Sequence, residues 1–216
     1  MKIMGLTFGK TYEDVRSLRY GAIMIMSDQD TDGSHIKGLV INFIHNFWPS
    51  LFKMPGFVKQ FITPLLKASK GNQKISFYTM NDYKQWTERT NDIKTWSIKY
   101  YKGLGTSDDK EAKEYFSDLR KHRIDFQYID NQDDDSIELV FSRKRIEDRK
   151  TWLAGYDPKL SISYDRPRIR YKEFVDRDFI HYSNEDNNRS IGSLIDGLKP
   201  GQRKIIYGCF KRKLVK

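Results

Sequence analysis

A single cysteine, Cys209, is present in the 216 residues. This excludes an intramolecular disulfide and a cysteine-based zinc site, and it suits a reducing compartment. No run of about 18 apolar residues occurs, which excludes a transmembrane helix. The opening stretch "MKIMGLTFGK" is too short and mixed for a secretory signal. The four histidines (His35, His45, His122, His181) are scattered without ligand spacing, so they read as surface or capping residues rather than a metal centre. Internal repeats and low-complexity segments are also missing. What remains is a chain with 38% hydrophobic residues, enough for one or two globular units with real cores.

Charge is the first positive signal. The formal net charge is +10 and the pI is near 9.5, a balance that suits a polyanionic partner. Seven Lys or Arg residues and no acid fall between Lys199 and Lys216, whereas "DNQDDD" (130–135) is an acidic island expected to be a solvated loop. Basic excess alone leaves nucleic acid and acidic membrane surfaces both open. The tail's apolar residues Ile205, Ile206, Cys209 and Phe210 form too narrow a face for a membrane helix. They are expected as core contacts of a small helical domain, so no membrane partner is expected.

The stretch "IMIMSDQDTDGSHIKG" (23–38) sets Asp28, Asp30 and Asp32 on alternate positions after an apolar run. At about 6 Å and an effective dielectric of about 20, each like-charge pair costs roughly 2–3 kcal/mol, so a cation, a basic partner or solvent must offset the repulsion. An EF-hand loop matches the first half of the pattern, with Gly33 after the third acid. Position twelve, however, is Leu39, which cannot supply the closing bidentate carboxylate. The preceding "AIMIM" reads as a buried strand, and Ile36, Val40, Phe43, Phe47 and Leu51 fall on one helical face. The EF-hand reading therefore fails. The acids lie where a strand's C-terminal end meets a helix start, the usual ligand position in α/β folds.

Further along, Pro55 and Gly56 stop the long helix. "FVKQFITPLLKAS" and "KISFYTM" read as strands about a polar turn at 70–73, and Asn81 is placed to cap a short helix. "TWSIKYY" alternates as a half-buried strand, and Asp108 with Glu111 makes a capping box for a helix reaching about Leu119. Next come an expected strand, the acidic loop and a helix through "SRKRIEDRKTWL". "GYDPKLSISYDRPRIR" has two prolines and no clear period and reads as a linker or domain boundary. "YKEFVDRDFIHYS" looks helical, and a last helix starts at Pro200.

Two more stretches carry chemistry. "YYKGLGTS" puts Lys102 between a strand and a glycine-containing turn ahead of a helix N-terminus, a setting that suits a phosphate. "DGLKPGQRK" sets Lys199, Arg203 and Lys204 around a proline-initiated helix, a common way to hold a DNA backbone. As bare patterns, the first reads more readily as a structural turn and the second as a solvated basic helix end.

Together and in this order, "IMIMSDQDTDGSHIKGLVINF", "FITPLLKAS", "KYYKGLGTS", "EAKEYF", "DRKTWL" and "RSIGSLIDGLKPGQRKIIYGCFKR" resemble the type IIA DNA topoisomerases. Bacterial gyrase-type members share the triple acid and the Lys-Gly-Leu-Gly element, while the Lys-Pro-Gly-Gln-Arg-Lys form resembles the eukaryotic ones. The resemblance implies an α/β Toprim-like domain, a parallel sheet with flanking helices, over 1–120. A connecting extension (121–172) and the start of a winged-helix DNA-cleavage domain (173–216) would follow. It further implies a nuclear homodimer that breaks, passes and rejoins double-stranded DNA, with ATP used in a separate domain.

Carried over by position, Asp28 and Asp30 would bind Mg²⁺, with Mn²⁺ able to substitute, and Asp32 would complete the cluster. His35 and Lys37 would lie beside the cleaved strand and Lys102 near the scissile phosphate. Arg143 and Lys144 would touch the DNA arm, and Arg189, Lys199, Gln202 and Arg203 would line the DNA gate. The family's metal-binding Glu and nucleophilic Tyr have no match here; Arg19–Tyr20 and Arg170–Tyr171 lie in the wrong context. No catalytic residue is therefore assigned, and these residues alone are expected to be inactive. The rival readings are a non-catalytic basic DNA-binding module and a Toprim primase or nuclease, the latter disfavoured by "RSIGSLIDGLKPGQRK".

Overall fold

The computed structural model describes residues 1–101 and 103–214. The elements run β1 (Ile23–Met26), α1 (Thr31–Phe47), α2 (Pro49–Lys53), β2 (Val58–Phe61), β3 (Leu66–Lys70), β4 (Gln73–Phe77), α3 (Met80–Arg89), β5 (Ser97–Tyr100), α4 (Asp109–Ser117), α5 (Leu119–His122) and β6 (Arg123–Gln127). They continue with α6 (Asn131–Phe141), α7 (Ile146–Ala154), β7 (Arg168–Arg170), α8 (Tyr171–Phe174), a π-helical stretch (Val175–Phe179), α9 (Ile180–Ser190) and α10 (Pro200–Lys211).

Among the described residues, the principal sheet has the order β1-β2-β6-β7. β1 runs parallel to β2, and β6 parallel to β7, but β2 and β6 are antiparallel. The expected α/β sheet with flanking helices is therefore present, as a mixed rather than wholly parallel one. A second, antiparallel sheet of order β4-β3-β5 carries its own small core of Leu65, Leu66, Ala68 and Phe77, with Tyr83, Trp86 and Trp96 against it. The β3–β4 hairpin turns through Gly71, whose φ of +56° suits glycine.

The main core draws on residues from Tyr12 to Phe179, so segment 121–172 shares the core of 1–120. Two of its elements, β6 and β7, complete the principal sheet. The segment expected as a linker returns through the core, where Ile162 and Ile169 are buried. Residues 155–167 run as an irregular strap rather than as a helix or strand.

Other expectations are also corrected. Helix α1 ends at Phe47, ahead of the expected stop at Pro55 and Gly56, and Pro49 opens α2 at its first position. Its buried stripe is Gly33, Ser34, Lys37, Gly38, Ile41 and Ile44, whereas Ile36, Phe43 and Phe47, expected on the core face, are exposed. The reason lies at Gly38, where a Cβ would come within 2.5 Å of the Phe179 ring. The missing side chain lets α1 lie directly on the π-helical stretch. Thr79, not Asn81, caps α3, accepting from Asp82 N; Asn81 instead donates to Lys159 O at 2.7 Å.

The acidic island is not a loop. Asp130 caps α6 with a capping box to Asp133, and Asp133 is fully buried. Its carboxylate accepts from Ile129 N, Asp130 N, Lys172 N and Arg170 Nε. The run of acids reflects a helix start favouring negative charge plus a buried staple to the strap. In the tail, Ile205, Ile206 and Phe210 are exposed rather than core residues, because the main packing of α10 among the described residues is a small contact with α9.

Candidate functional site

The acidic turn is built by backbone constraints. Ser27, just after β1, is buried and donates from Oγ to Gly33 O at 3.1 Å. Asp30 caps α1, its Oδ1 accepting from Gly33 N at 2.8 Å. A Cβ on Gly33 would stand 1.9 Å from Asp28 O, so only glycine allows the strand to fold this sharply into the helix. The chain after β5 comes against the same turn: a Cβ on Gly103 would lie 3.1 Å from Asp28 Oδ2. Two stretches read separately in the sequence therefore meet in space.

That approach is secured by Glu111. Its carboxylate caps Asp108 N at 3.0 Å, accepts from Lys99 Nζ at 2.8 Å and from Tyr101 OH, and lies 3.7 Å from Lys67 Nζ. Burial alone raises the Glu111 carboxyl, but the bonds from Lys99, Tyr101 and Asp108 N and the charge of Lys67 outweigh it, bringing its pKa down to about 2. The capping role was readable from spacing; the anchoring of β5 was not.

The end of α9 closes over the other side of the turn. Arg189 grips Asp32 with two bonds, Nη2 to Oδ1 at 2.8 Å and Nη1 to Oδ2 at 3.0 Å. The hydrogen bond from Arg189 holds the Asp32 carboxyl below its ordinary range. His35 stacks on Tyr182 with centroids 4.1 Å apart, and Thr31 Oγ1 donates to Glu185 Oε2. Asp28, Asp30, Asp32, His35 and Arg189 are thus brought to one end of the principal sheet. A cavity of about 390 Å³ opens beside them, with Asp30, Lys84, Tyr164, Arg177 and His181 in its walls.

The remaining expected site residues divide. Lys37 does not face outward: it is 3% exposed and its Nζ donates to Asp178 Oδ2 at 3.2 Å, so a contact to a DNA strand is corrected to an internal ion pair. The π-helical stretch turns Asp178 inward, where it also accepts from Ser34 Oγ at 2.7 Å, a partnership that sequence spacing did not signal. Lys102 lies outside the described residues. Arg143 and Lys144 are exposed between α6 and α7. Lys199, Gln202 and Arg203 are exposed at the start of α10, where Gln202 Oε1 accepts from Lys199 N at 2.9 Å and Arg203 pairs with Asp196 at 2.8 Å.

Hard carboxylate oxygens suit Mg²⁺ or Mn²⁺. Among the described residues, however, no three acids or histidines converge as a ready ligand set. Asp28 and Asp30, on the same turn, are the residues that would hold such an ion. That is consistent with Mg²⁺, which commonly uses one or two carboxylates plus water and phosphate oxygens.

Residues 61–187 match the model of the family described as the C-terminal associated domain of TOPRIM. The chain is 53% identical over 214 residues to DNA topoisomerase 2 of Plasmodium falciparum (isolate K1 / Thailand), covering 99% of this chain and 15% of the relative. It is 54% identical over 214 residues to DNA topoisomerase 2 of Arabidopsis thaliana, covering 98% and 14%. The crystal structure of the Plasmodium falciparum topoisomerase II DNA-binding, cleavage and re-ligation domain superposes with a TM-score of 0.86 at 52% identity, over 100% of this chain and 29% of that one. The chain thus spans about one seventh of the length of the curated relatives it matches.

Proposed function

Because this chain belongs to the family of C-terminal associated domains of TOPRIM, we propose that it forms part of the DNA-binding and cleavage region of a type II DNA topoisomerase. In this reading the parent breaks, passes and rejoins duplex DNA as a nuclear homodimer, using ATP in a domain outside these residues. The observation that carries the local part is the convergence of the acidic turn, the Gly103 approach and Arg189 at one end of the principal sheet. Asp28 and Asp30 would hold a divalent cation, Mg²⁺ or in its place Mn²⁺. When bound, such an ion polarises phosphate oxygens and stabilises a leaving oxygen. The residues of this chain orient it: Gly33 and the Asp30 cap fix the turn, and Glu111 sets the neighbouring segment against it.

Lys199 and Arg203, with Arg143 and Lys144, would contact phosphates, which position a duplex without reading its sequence. The reading of a basic DNA-binding module without cleavage chemistry explains the basic residues but leaves the acidic turn without a task. The test is duplex binding by fluorescence anisotropy, using two unrelated sequences across a range of salt. With three to five phosphates neutralised, log K against log salt should fall with a slope of roughly −3 to −4.5 for both duplexes. Salt-insensitive binding, or affinities that differ more than about tenfold between the sequences, would overturn the proposal.

A further inference from the structure

Both carboxylate oxygens of Asp32 are occupied by a cation of the chain itself, Arg189. The two residues are 157 positions apart, so the contact ties the first turn of α1 to the last turn of α9. Beyond α9 the chain makes little contact with the body. Ile191, Leu194 and Ile195 are exposed, and α10, with its basic residues, follows from there. Among the described residues, the pair is the last charged tie between the acidic turn and this arm. Arg189 has a secondary acid within reach, Asp186 at 3.7 Å on its own helix, so it can leave Asp32 without becoming isolated.

We propose that Asp32 is a positioning residue: it stores the guanidinium of Arg189 over the turn, and a divalent cation entering the turn competes with that pair and loosens the arm. The physical basis is charge balance. A cation at Asp28 and Asp30 attracts the neighbouring Asp32 and repels Arg189, so both partners gain from separating. A phosphate arriving with the cation could then take the released guanidinium bidentately. The competition rests on the divalent-cation reading above, whereas the tie itself rests only on the observed pair.

The test is backbone amide hydrogen exchange over residues 187–199 of the whole chain. Wild type, Asp32→Asn, Arg189→Gln and the swapped Asp32→Arg/Arg189→Asp chain would be compared with and without millimolar Mg²⁺ at constant ionic strength. Each single variant should exchange about two- to fivefold faster without Mg²⁺, the range that exposed ion pairs produce. The swapped chain should return most of the way to wild type. Mg²⁺ should speed exchange in wild type and leave Asp32→Asn unchanged. Singles that match wild type, or a swapped chain as fast as the singles, overturn the tie. Wild type indifferent to Mg²⁺ overturns the competition. Duplex binding, measured separately, distinguishes failure of the functional reading: a wild type that binds no duplex sinks that reading while the exchange pattern without Mg²⁺ still stands.

Discussion

Lys37→Ala should destabilise the fold strongly and leave duplex affinity nearly unchanged. Lys37 is 3% exposed, and its partner Asp178 18%, with 3.2 Å between the charged atoms. The lysine Nζ also lies 5.8 Å from the Phe174 ring centroid. Removing one partner of a buried pair costs about 3–5 kcal/mol, because the other charge stays buried without compensation. Asp178 keeps Ser34 Oγ at 2.7 Å and a long contact to Tyr164 OH at 3.5 Å, which moderates the loss to about 3 kcal/mol. For a chain of this size that corresponds to a fall of about 6–12 °C in Tm, a large part of a typical total stability of about 5–15 kcal/mol. The assay is thermal and urea unfolding followed by circular dichroism, beside anisotropy with a duplex well below the transition. Lys37→Met with Asp178→Leu should recover most of the loss, since apolar replacement of a buried pair is often neutral or better. A Tm within about 2 °C of wild type, together with a tenfold loss of duplex affinity, would refute the internal role and return Lys37 to the surface.

Three further outcomes are expected. Asp133→Ala should cost about 3–5 kcal/mol in urea unfolding, since it strips Arg170 and three backbone N–H groups of their acceptor, whereas Asp135→Ala, at an exposed pair with Arg145, should cost under about 1 kcal/mol. Glu111, held at about 2 against an ordinary 4.5, contributes stability that is complete above pH 4.5 and is lost as pH falls from there toward about 2. Glu111→Gln should therefore flatten the acid limb of a stability–pH profile by an amount no larger than about 3 kcal/mol. Gly103→Ala would put a methyl group 3.1 Å from Asp28 Oδ2, and Mg²⁺ titration followed by amide shifts near Asp28 should show affinity reduced roughly fivefold, the effect of about 1 kcal/mol of crowding.

Local signals predicted local structure well. The strand into acidic turn into helix, the capping box at Asp108 and Glu111, and the proline-initiated α10 were all legible, because each depends on residues within one or two turns. The misreadings share a different cause. Which face of α1 is buried depends on Gly38 meeting Phe179, and the fate of the acidic island depends on Arg170 and Lys172 arriving from β7 and α8. Those partners are remote in sequence, and periodicity cannot see them. The same holds within the site. Alternating acids marked the turn, but that Asp32 would be held by Arg189, and that Lys37 would turn inward to Asp178, required the helices to be packed. The exposed apolar residues of α10 were misassigned for the converse reason, since an apolar stripe states that a partner is wanted, not that the described residues supply one.

The central claim is that the start of α10 meets DNA by position and not by charge alone. Lys199→Ala with Arg203→Ala removes two positive charges where Pro200 begins the helix, and Lys211→Ala with Lys213→Ala removes two at its far end. Duplex affinity for both double variants, measured across salt by anisotropy, decides between the two. The account predicts that the first pair weakens every duplex alike and flattens the log K against log salt slope by about 2, one unit per lost phosphate contact, while the second pair changes little. Equal weakening by both pairs would contradict it.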